Sequence, residues 1–216
     1  MNNICVKYIN MINEKFSFCN PIIIIYGSNI YTANSSDLDV CLIINNNFKN
    51  HTSNIIDETI LFHHENNLKL DDEVPFENKL VYSYEEIDIM LSNNPFYNNG
   101  IYYIDDIVKT KTFLLSKLMK QRLLLNILTT DHLIINDNKN IINRYENKAW
   151  DIILDTIINF YYLNNPNENE ILNLLYKNKY TNAEGEMYLG YKTNNIQKEL
   201  YLKNKIEEHL KRRYNR

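Results

Sequence analysis

Apolar residues follow two different spacings along the chain, and the spacing changes near its middle. Residues 22–26 (IIIIY) and 38–44 (LDVCLII) are short and strongly apolar, which is typical of buried strands. The preceding residues 3–16 carry apolar side chains at helical spacing, and Asn20-Pro21 interrupts them. We therefore expect an amphipathic helix followed by two buried strands.

Weaker patterns follow the second strand. Residues 54–64 indicate a helix, the alternation in residues 67–76 indicates a third strand, and Leu80–Tyr82 indicates a further short strand. The rest of the chain shows mostly helical spacing, beginning with a short helix at residues 85–91 for which Ser83 is the expected N-cap. The other predicted helices cover residues 105–128, 143–163, 168–176 and 194–214.

This order of elements predicts an α+β fold, in which an N-terminal mixed β-sheet with flanking helices precedes a mainly helical C-terminal region. We place the boundary between residues 92 and 93, so that residues 1–92 form the sheet domain and residues 93–216 form a helical domain. A chain of 216 residues accommodates one domain with additions or two small domains.

Composition and charge narrow the class of protein. The net charge of −4 disfavours the binding of long nucleic acid through bulk charge. The N-terminal residues are polar and charged, and the longest apolar run is much too short to span a membrane. We therefore expect a cytoplasmic protein with no membrane partner. Cys5, Cys19 and Cys41 lack metal-binding spacing and are expected to be free thiols.

The segment 22–44 carries the residues best suited to chemistry. Gly27 and Ser28 follow the first strand, and Asp37 and Asp39 begin the second. Because strand side chains alternate between faces, the two carboxylates are expected on one face, about 7 Å apart. Such a pair suits Mg²⁺, which takes its other ligands from water and substrate phosphates. Gly27, one of only four glycines, would let a phosphate approach the backbone, and Ser28 would offer it a hydroxyl and an N–H.

The order strand, Gly-Ser, loop, Asp-x-Asp, strand resembles the nucleotidyltransferase superfamily of the DNA polymerase β type, above all its minimal and antibiotic nucleotidyltransferases. The resemblance covers about residues 20–80. The loop after Ser28 is shorter than is usual in that superfamily, and Asn29-Ile30-Tyr31-Thr32 lacks the Arg and Gly that usually follow the Gly-Ser pair.

This resemblance implies a function as well as a fold. Residues 1–92 would be the nucleotidyltransferase core, and residues 93–216 would bind the acceptor. The implied reaction is the Mg²⁺-dependent transfer of a nucleoside monophosphate from a nucleoside triphosphate, ATP foremost, to a hydroxyl or similar group of an acceptor. Pyrophosphate would be released. A small molecule is the acceptor that the acidic chain favours.

The resemblance also implies a third carboxylate on a later strand, and residues 68–76 (LKLDDEVPF) are the natural place for it. Asp71 is our first choice as the third metal ligand and Glu73 the second, since alternation puts both on one face of that strand. Asp72 would need the opposite face. The third carboxylate would bind the catalytic metal or accept the proton of the acceptor hydroxyl.

Lys79 follows the predicted acidic strand and is our candidate for contacting the triphosphate, whose charge must be partly neutralised. Each candidate also has a structural interpretation. Asp37 would cap a turn, Asp39 would form a salt bridge, and Lys79 would be an ordinary surface lysine. His63-His64 lacks a third metal ligand at suitable spacing. The alternative function is a non-catalytic protein of the same fold that acts as a binding or antitoxin-like partner of another protein.

Overall fold

The computed structural model describes residues 3–27, 37–70, 76, 79–102, 117–177 and 196–214. The helices in these ranges are α1 (Asn3–Phe16), α2 (Thr52–Glu65), α3 (Tyr84–Met90), α4 (Lys117–Thr129), α5 (Ile141–Phe160), α6 (Glu168–Lys177) and α7 (Ile196–Tyr214). The strands are β1 (Ile22–Tyr26), β2 (Val40–Ile44), β3 (Val81–Ser83), β4 (Tyr97–Asn98), β5 (Ile101–Tyr102) and β6 (His132–Ile135).

Four strands form one mixed sheet in the order β3-β2-β1-β6, and β4 and β5 form a separate hairpin. Strand β1 is antiparallel to both of its neighbours, whereas β2 is parallel to β3. The predicted α+β fold with a mixed sheet is therefore confirmed. In the described part of the chain no helix is long and apolar enough to cross a membrane.

The two faces of the sheet are covered by different helices. Ile23 and Ile25 of β1 pack into a core with α1 and α2, and Ile22 and Ile24 pack into a core with α3 to α7. This division follows from strand geometry, because successive side chains point to opposite faces. The sheet is therefore the middle of three layers, which explains why β1 and β2 are apolar at nearly every position.

Most of the predicted helices are present with small differences at their ends. Helix α1 has its predicted bounds, and α2 extends the predicted helix at both ends. Ser83 caps α3 as expected, because its hydroxyl accepts from Glu86 N–H while the Glu86 carboxylate accepts from Ser83 N–H. The three cysteines are free and buried. The first part of the helix predicted over residues 105–128 lies outside the described residues.

The third strand predicted over residues 67–76 is wrong in its described part. Residues 67–70 have no regular structure, and Asn67 has a left-handed backbone with φ of 52° that ends α2. The alternation of apolar residues that predicted a strand therefore occurs here in a segment without regular secondary structure. Residues 71–75 lie outside the described residues.

The sequence prediction missed β6, which lies along the free side of β1. Thr130 and Asp131 alone separate its four residues (HLII) from α4, and an apolar run this short does not distinguish a strand from a helix end. The sheet thus takes its fourth strand from residues 132–135, beyond the boundary placed at residues 92 and 93. The division into two domains at that boundary stays a prediction.

A charged cluster joins α7 to α5. His209, only 4% exposed, lies 2.8 Å from Asp151 through Nδ1 and 3.2 Å from Asp155 through Nε2. Arg212 and Arg213 pair with the same two carboxylates. Burial alone would lower the pKa of His209, but its hydrogen bond to Asp151 and its ion pair with Asp155 outweigh burial and raise that pKa above its ordinary value.

We expect the free energy of unfolding to fall as the pH rises through the raised pKa of His209. A histidine whose pKa is raised by folding makes its full contribution to stability below the pKa of the unfolded state, 6.5. This contribution is lost as the pH rises through the pKa of the folded state. Urea unfolding between about pH 6 and pH 8.5 measures the effect. His132, whose pKa is also raised, acts in the same direction.

The variant His209→Gln tests the assignment. Its stability should fall less with rising pH than that of the wild type, because the contribution of His209 is absent while the contributions of the other histidines are unchanged. Equal slopes in the two proteins would contradict the role given to His209.

Candidate functional site

The end of β1 meets the beginning of β2 because the two strands are antiparallel. Their ladder ends at the pair Ile25 and Val40. One residue further on, Tyr26 N–H donates to the Asp39 carbonyl at 3.1 Å. This hydrogen bond places Asp39 beside the chain that leaves β1, so two parts of the motif separated along the sequence lie together.

Gly27 lies against the carboxylate of Asp39. Its φ is +68°, a conformation that favours glycine. A Cβ atom at this position would lie 2.1 Å from Asp39 Oδ2 and 2.9 Å from its Cγ. Glycine is thus required for two independent reasons, the backbone conformation and the contact with Asp39. Ser28 lies outside the described residues.

In residues 37–40, buried apolar residues alternate with half-buried acidic residues, as the sequence predicts. Leu38 and Val40 are buried in the core with α1 and α2, whereas Asp37 and Asp39 are half-buried. Asp39 shares its strand face with Cys41, which packs into the core with α3 to α7. The Asp39 carboxylate therefore begins the face of the sheet that the C-terminal helices cover.

The candidates for the third carboxylate, Asp71, Asp72 and Glu73, all lie outside the described residues. Among the described residues no group of three or more His, Cys, Asp or Glu side chains is arranged to hold a metal ion. The structure therefore describes two of the three predicted ligands, and the third stays a prediction.

Lys79 is a buried lysine, so its interpretation as a surface residue is wrong. It is 8% exposed, and its Nζ lies 5.2 Å from the centre of the Phe76 ring. A tight turn precedes it, in which Lys79 N–H and Leu80 N–H both donate to the Phe76 carbonyl at 3.1 and 2.8 Å. The Leu80 carbonyl then accepts from Leu42 N–H at 2.7 Å, which holds this turn against β2.

His63 of α2 lies against the Phe76 ring, at 5.4 Å between ring centroids, and the sequence indicated no functional role for it. It is 1% exposed, and its Nδ1–H donates to the Thr59 carbonyl at 2.8 Å. Burial lowers the pKa of His63, with Lys79 acting in the same direction. Hydrogen bonds to the backbone of Thr59 and Leu38, and the charge of Asp37, oppose this change.

The spacing of apolar residues in α2 could have predicted that His63 is buried. Its buried positions are Ile55, Ile56, Thr59, Phe62 and His63, a single helical stripe. A histidine on an apolar stripe is buried by that helix, whereas His64, one position on, is exposed.

His132 lies on the side of the sheet that Asp39 faces. His132 of β6 is opposite Tyr26, which in turn bonds to Asp39. Leu133 and Ile135 pack towards α1 and α2, so His132 faces the C-terminal helices as Asp39 does. With neighbouring strands about 4.8 Å apart, the backbones of His132 and Asp39 lie about 10 Å apart.

His132 forms a largely buried ion pair with Glu146 of α5. Its Nε2 lies 2.9 Å from Glu146 Oε1, and its Nδ1–H donates to the Thr130 carbonyl at 2.8 Å. Burial lowers the pKa of His132, but these two hydrogen bonds raise it by a larger amount. The pKa of His132 therefore lies above its ordinary value. The pair borders a cavity of about 290 Å³ lined also by Asp131, Trp150 and Tyr201.

A larger cavity of about 590 Å³ lies at the opposite edge of the sheet, beside β3, α3 and α4. Lys120, one of the two lysines that line it, is held by contacts within the protein. Its Nζ lies 2.8 Å from Glu86 and donates to the Val81 carbonyl at 3.2 Å. Val81 is opposite Leu42, three residues along β2 from Asp39. This cavity is therefore displaced along the strands from the end that holds Gly27 and Asp39.

Comparison of the chain with protein-family models, with curated proteins and with solved structures returned no match. Function has therefore to be inferred from the motif and from the geometry of the described residues.

We expect Gly27→Ala to destabilise the protein more than Gly100→Ala does. Both glycines have positive φ, but nothing lies within 4 Å of a Cβ at Gly100. The Gly100 variant should therefore lose about 1 kcal/mol from backbone strain alone. The Gly27 variant should lose a similar amount and must in addition displace the Asp39 carboxylate. Urea unfolding measures both changes.

The double variant Gly27→Ala/Asp39→Ala separates the two contributions. Removing the carboxylate should bring the cost of Gly27→Ala most of the way down to that of Gly100→Ala, because only the Asp39 Cβ, at 3.2 Å, then remains close. A double-mutant cycle detects this coupling. Strictly additive costs would show that the contact between Gly27 and Asp39 does not exist in solution.

Proposed function

We propose that this protein is a metal-dependent nucleotidyltransferase of the DNA polymerase β type. It transfers a nucleoside monophosphate from a nucleoside triphosphate, ATP foremost, to a hydroxyl or similar group of a small-molecule acceptor. The observation that supports this most is the contact between Gly27 and Asp39. It joins the glycine that ends one buried strand to the Asp-x-Asp pair that begins the next.

The chemistry of Asp37 and Asp39 fits a magnesium ion. Both carboxylates are half-buried at the start of a strand, where hard oxygen ligands of this kind suit Mg²⁺. When bound, Mg²⁺ would neutralise the triphosphate and stabilise charge on the entering and leaving oxygens. Asp71, with Glu73 as second choice, remains our proposed third ligand.

The other residues of the site would bind and orient the substrates. Gly27 exposes backbone beside Asp39, where a phosphate can approach closely, and Ser28 would donate to the same phosphate. Lys79 brings a buried positive charge to the same end of β2, which would offset part of the triphosphate charge.

The reaction that follows is an in-line displacement at phosphorus. The acceptor oxygen forms a bond to the α-phosphorus, and the bond from that phosphorus to the oxygen bridging to the β-phosphate breaks. Pyrophosphate leaves with the electron pair of that bond. The acceptor proton passes to a carboxylate, for which Asp71 is the proposed group.

We place the acceptor in the cavity beside His132 and Glu146. His132, Tyr26 and Asp39 lie in one row across three strands, and His132 and Asp39 face the same side. The cavity volume of about 290 Å³ is that of a small-molecule site rather than of a macromolecular groove. The larger cavity at β3 is the poorer choice, because it is displaced along the strands from Asp39.

Release of pyrophosphate from ATP, measured with Mg²⁺ and a panel of hydroxyl-bearing small molecules, tests the function. Asp37→Asn and Asp39→Asn should each reduce the rate about 100-fold or more, because each removes a charge that stabilises the transition state. Chelation of the metal should abolish the reaction.

Asp57→Asn is the matched control, since Asp57 is an exposed aspartate of α2 outside the site. It should react as the wild type does. If wild type, Asp37→Asn and Asp39→Asn behave alike with every acceptor and nucleotide, the enzymatic function is wrong. The non-catalytic binding partner would then be the better interpretation.

The variant Tyr201→Ala tests the place of the acceptor. Tyr201 borders the cavity beside Trp150, so its loss should raise the KM for the acceptor and leave the KM for ATP unchanged. Tyr162→Ala, at a tyrosine that is 92% exposed, provides the control and should change neither constant. A change in the KM for ATP alone would argue against this location.

A further inference from the structure

The larger cavity, of about 590 Å³ beside β3, α3 and α4, has no role in the proposed function. Its volume lies in the range of sites that bind small molecules. Val81, Ile89 and Met90 contribute apolar side chains to its lining, and Ile89 is 60% exposed. The cavity therefore offers an apolar surface that a ligand can cover and remove from water.

Lys120 is held at the edge of the sheet that borders this cavity. The Leu80 carbonyl accepts from Leu42 of β2, and because successive strand carbonyls point in opposite directions, the Val81 carbonyl points away from β2. Lys120 Nζ donates to the Val81 carbonyl at 3.2 Å and lies 2.8 Å from Glu86 Oε1. An ammonium group has three N–H donors, and these contacts among the described residues use two. The third can donate to an oxygen atom of a ligand in the cavity.

The described residues that line the cavity carry more positive than negative charge. Lys49 and Lys120 contribute two ammonium groups, and Glu86 contributes a carboxylate. Lys49 pairs with Glu85 at 2.7 Å, but both side chains of this pair are exposed, and exposed ion pairs are weak. Lys49 can therefore turn towards a bound anion at little cost. The lining thus favours a ligand that is both apolar and negatively charged.

We propose that this cavity is a binding site for a small carboxylate with an apolar body. The ligand carboxylate accepts from Lys120, and the apolar body covers Ile89 and Met90. The proposal does not depend on the proposed function, because it involves none of the residues placed in the nucleotidyltransferase site.

Octanoate is a suitable probe, and methionine methyl groups report where it binds. Met90 lines the cavity, whereas Met11 of α1 packs on the other face of the sheet. In NMR spectra of protein labelled at its methionine methyl groups, octanoate should shift the Met90 signal in a saturable manner and leave the Met11 signal in place. Octan-1-ol has the same chain without the charge. It should bind about 10-fold more weakly or worse, because a hydrogen bond to a charged group contributes at least that factor.

Two substitutions in the ion pair should change the affinity for octanoate in opposite directions. Lys120→Met removes the ammonium group and should weaken binding about 10-fold or more. Glu86→Gln removes the competing negative charge but keeps a side chain that can complete the cap of α3, so it should strengthen binding about 3-fold or more. Lys15→Met is the control, at a lysine of α1 that also forms an ion pair between two helices, and it should bind as the wild type does.

The variant Ile89→Ser tests the apolar part of the site. It should weaken the binding of both octanoate and octan-1-ol about 5-fold, because less apolar surface is then covered by either ligand. Leu200→Ser, at a leucine of α7 that is 58% exposed, is the matched control and should change neither affinity.

The wild-type measurement decides the proposal without any substitution, so it remains a test if Lys120→Met does not fold. A Met90 signal that does not shift at millimolar octanoate overturns the site, and so does an equal shift of Met11, which would indicate binding without a defined site. The assignment to a carboxylate is overturned if octan-1-ol binds as tightly as octanoate, or if Glu86→Gln binds octanoate no more tightly than the wild type. The pyrophosphate assay tests the proposed function separately.

Discussion

The antiparallel ladder between β1 and β2 is the contact on which the rest of the structure depends. Both strands are apolar at nearly every position, so each must be covered on both faces, and two different sets of helices provide that cover. The ladder also decides which residues meet at its end. Because the strands run in opposite directions, the residue that leaves β1 lies beside the residues that enter β2.

Charged groups also enter the interior at the end of this ladder. Asp37 and Asp39 are half-buried, and Lys79 and His63 are buried close by. A buried charge is costly unless opposite charges or hydrogen bonds compensate it. This agrees with the position of the Lys79 ammonium over the Phe76 ring and with the pairing of His132 with Glu146. These groups lie at the end of the sheet where we propose the site.

Much of the architecture and the centre of the candidate site could be predicted from the sequence. The β-branched runs indicated β1 and β2, since such residues fit a pleated surface that is buried on both sides. The motif indicated Gly27, Asp37 and Asp39 as one site, and the structure places Gly27 against Asp39. Residue types and spacing were sufficient because all of this is local: strand period, a turn that needs glycine, and a cap such as Ser83.

Only the tertiary structure decided the remaining parts of the site. The sequence by itself determined two buried strands and the residues at their adjoining ends, because period and residue type are properties of a short segment. It did not determine that β6 pairs with β1, that Lys79 is buried, or that Leu80 bonds to Leu42 of β2. Each of these joins segments far apart in the chain. Such contacts depend on how the layers pack, and a short pattern of apolar and polar residues carries no information about its distant partners.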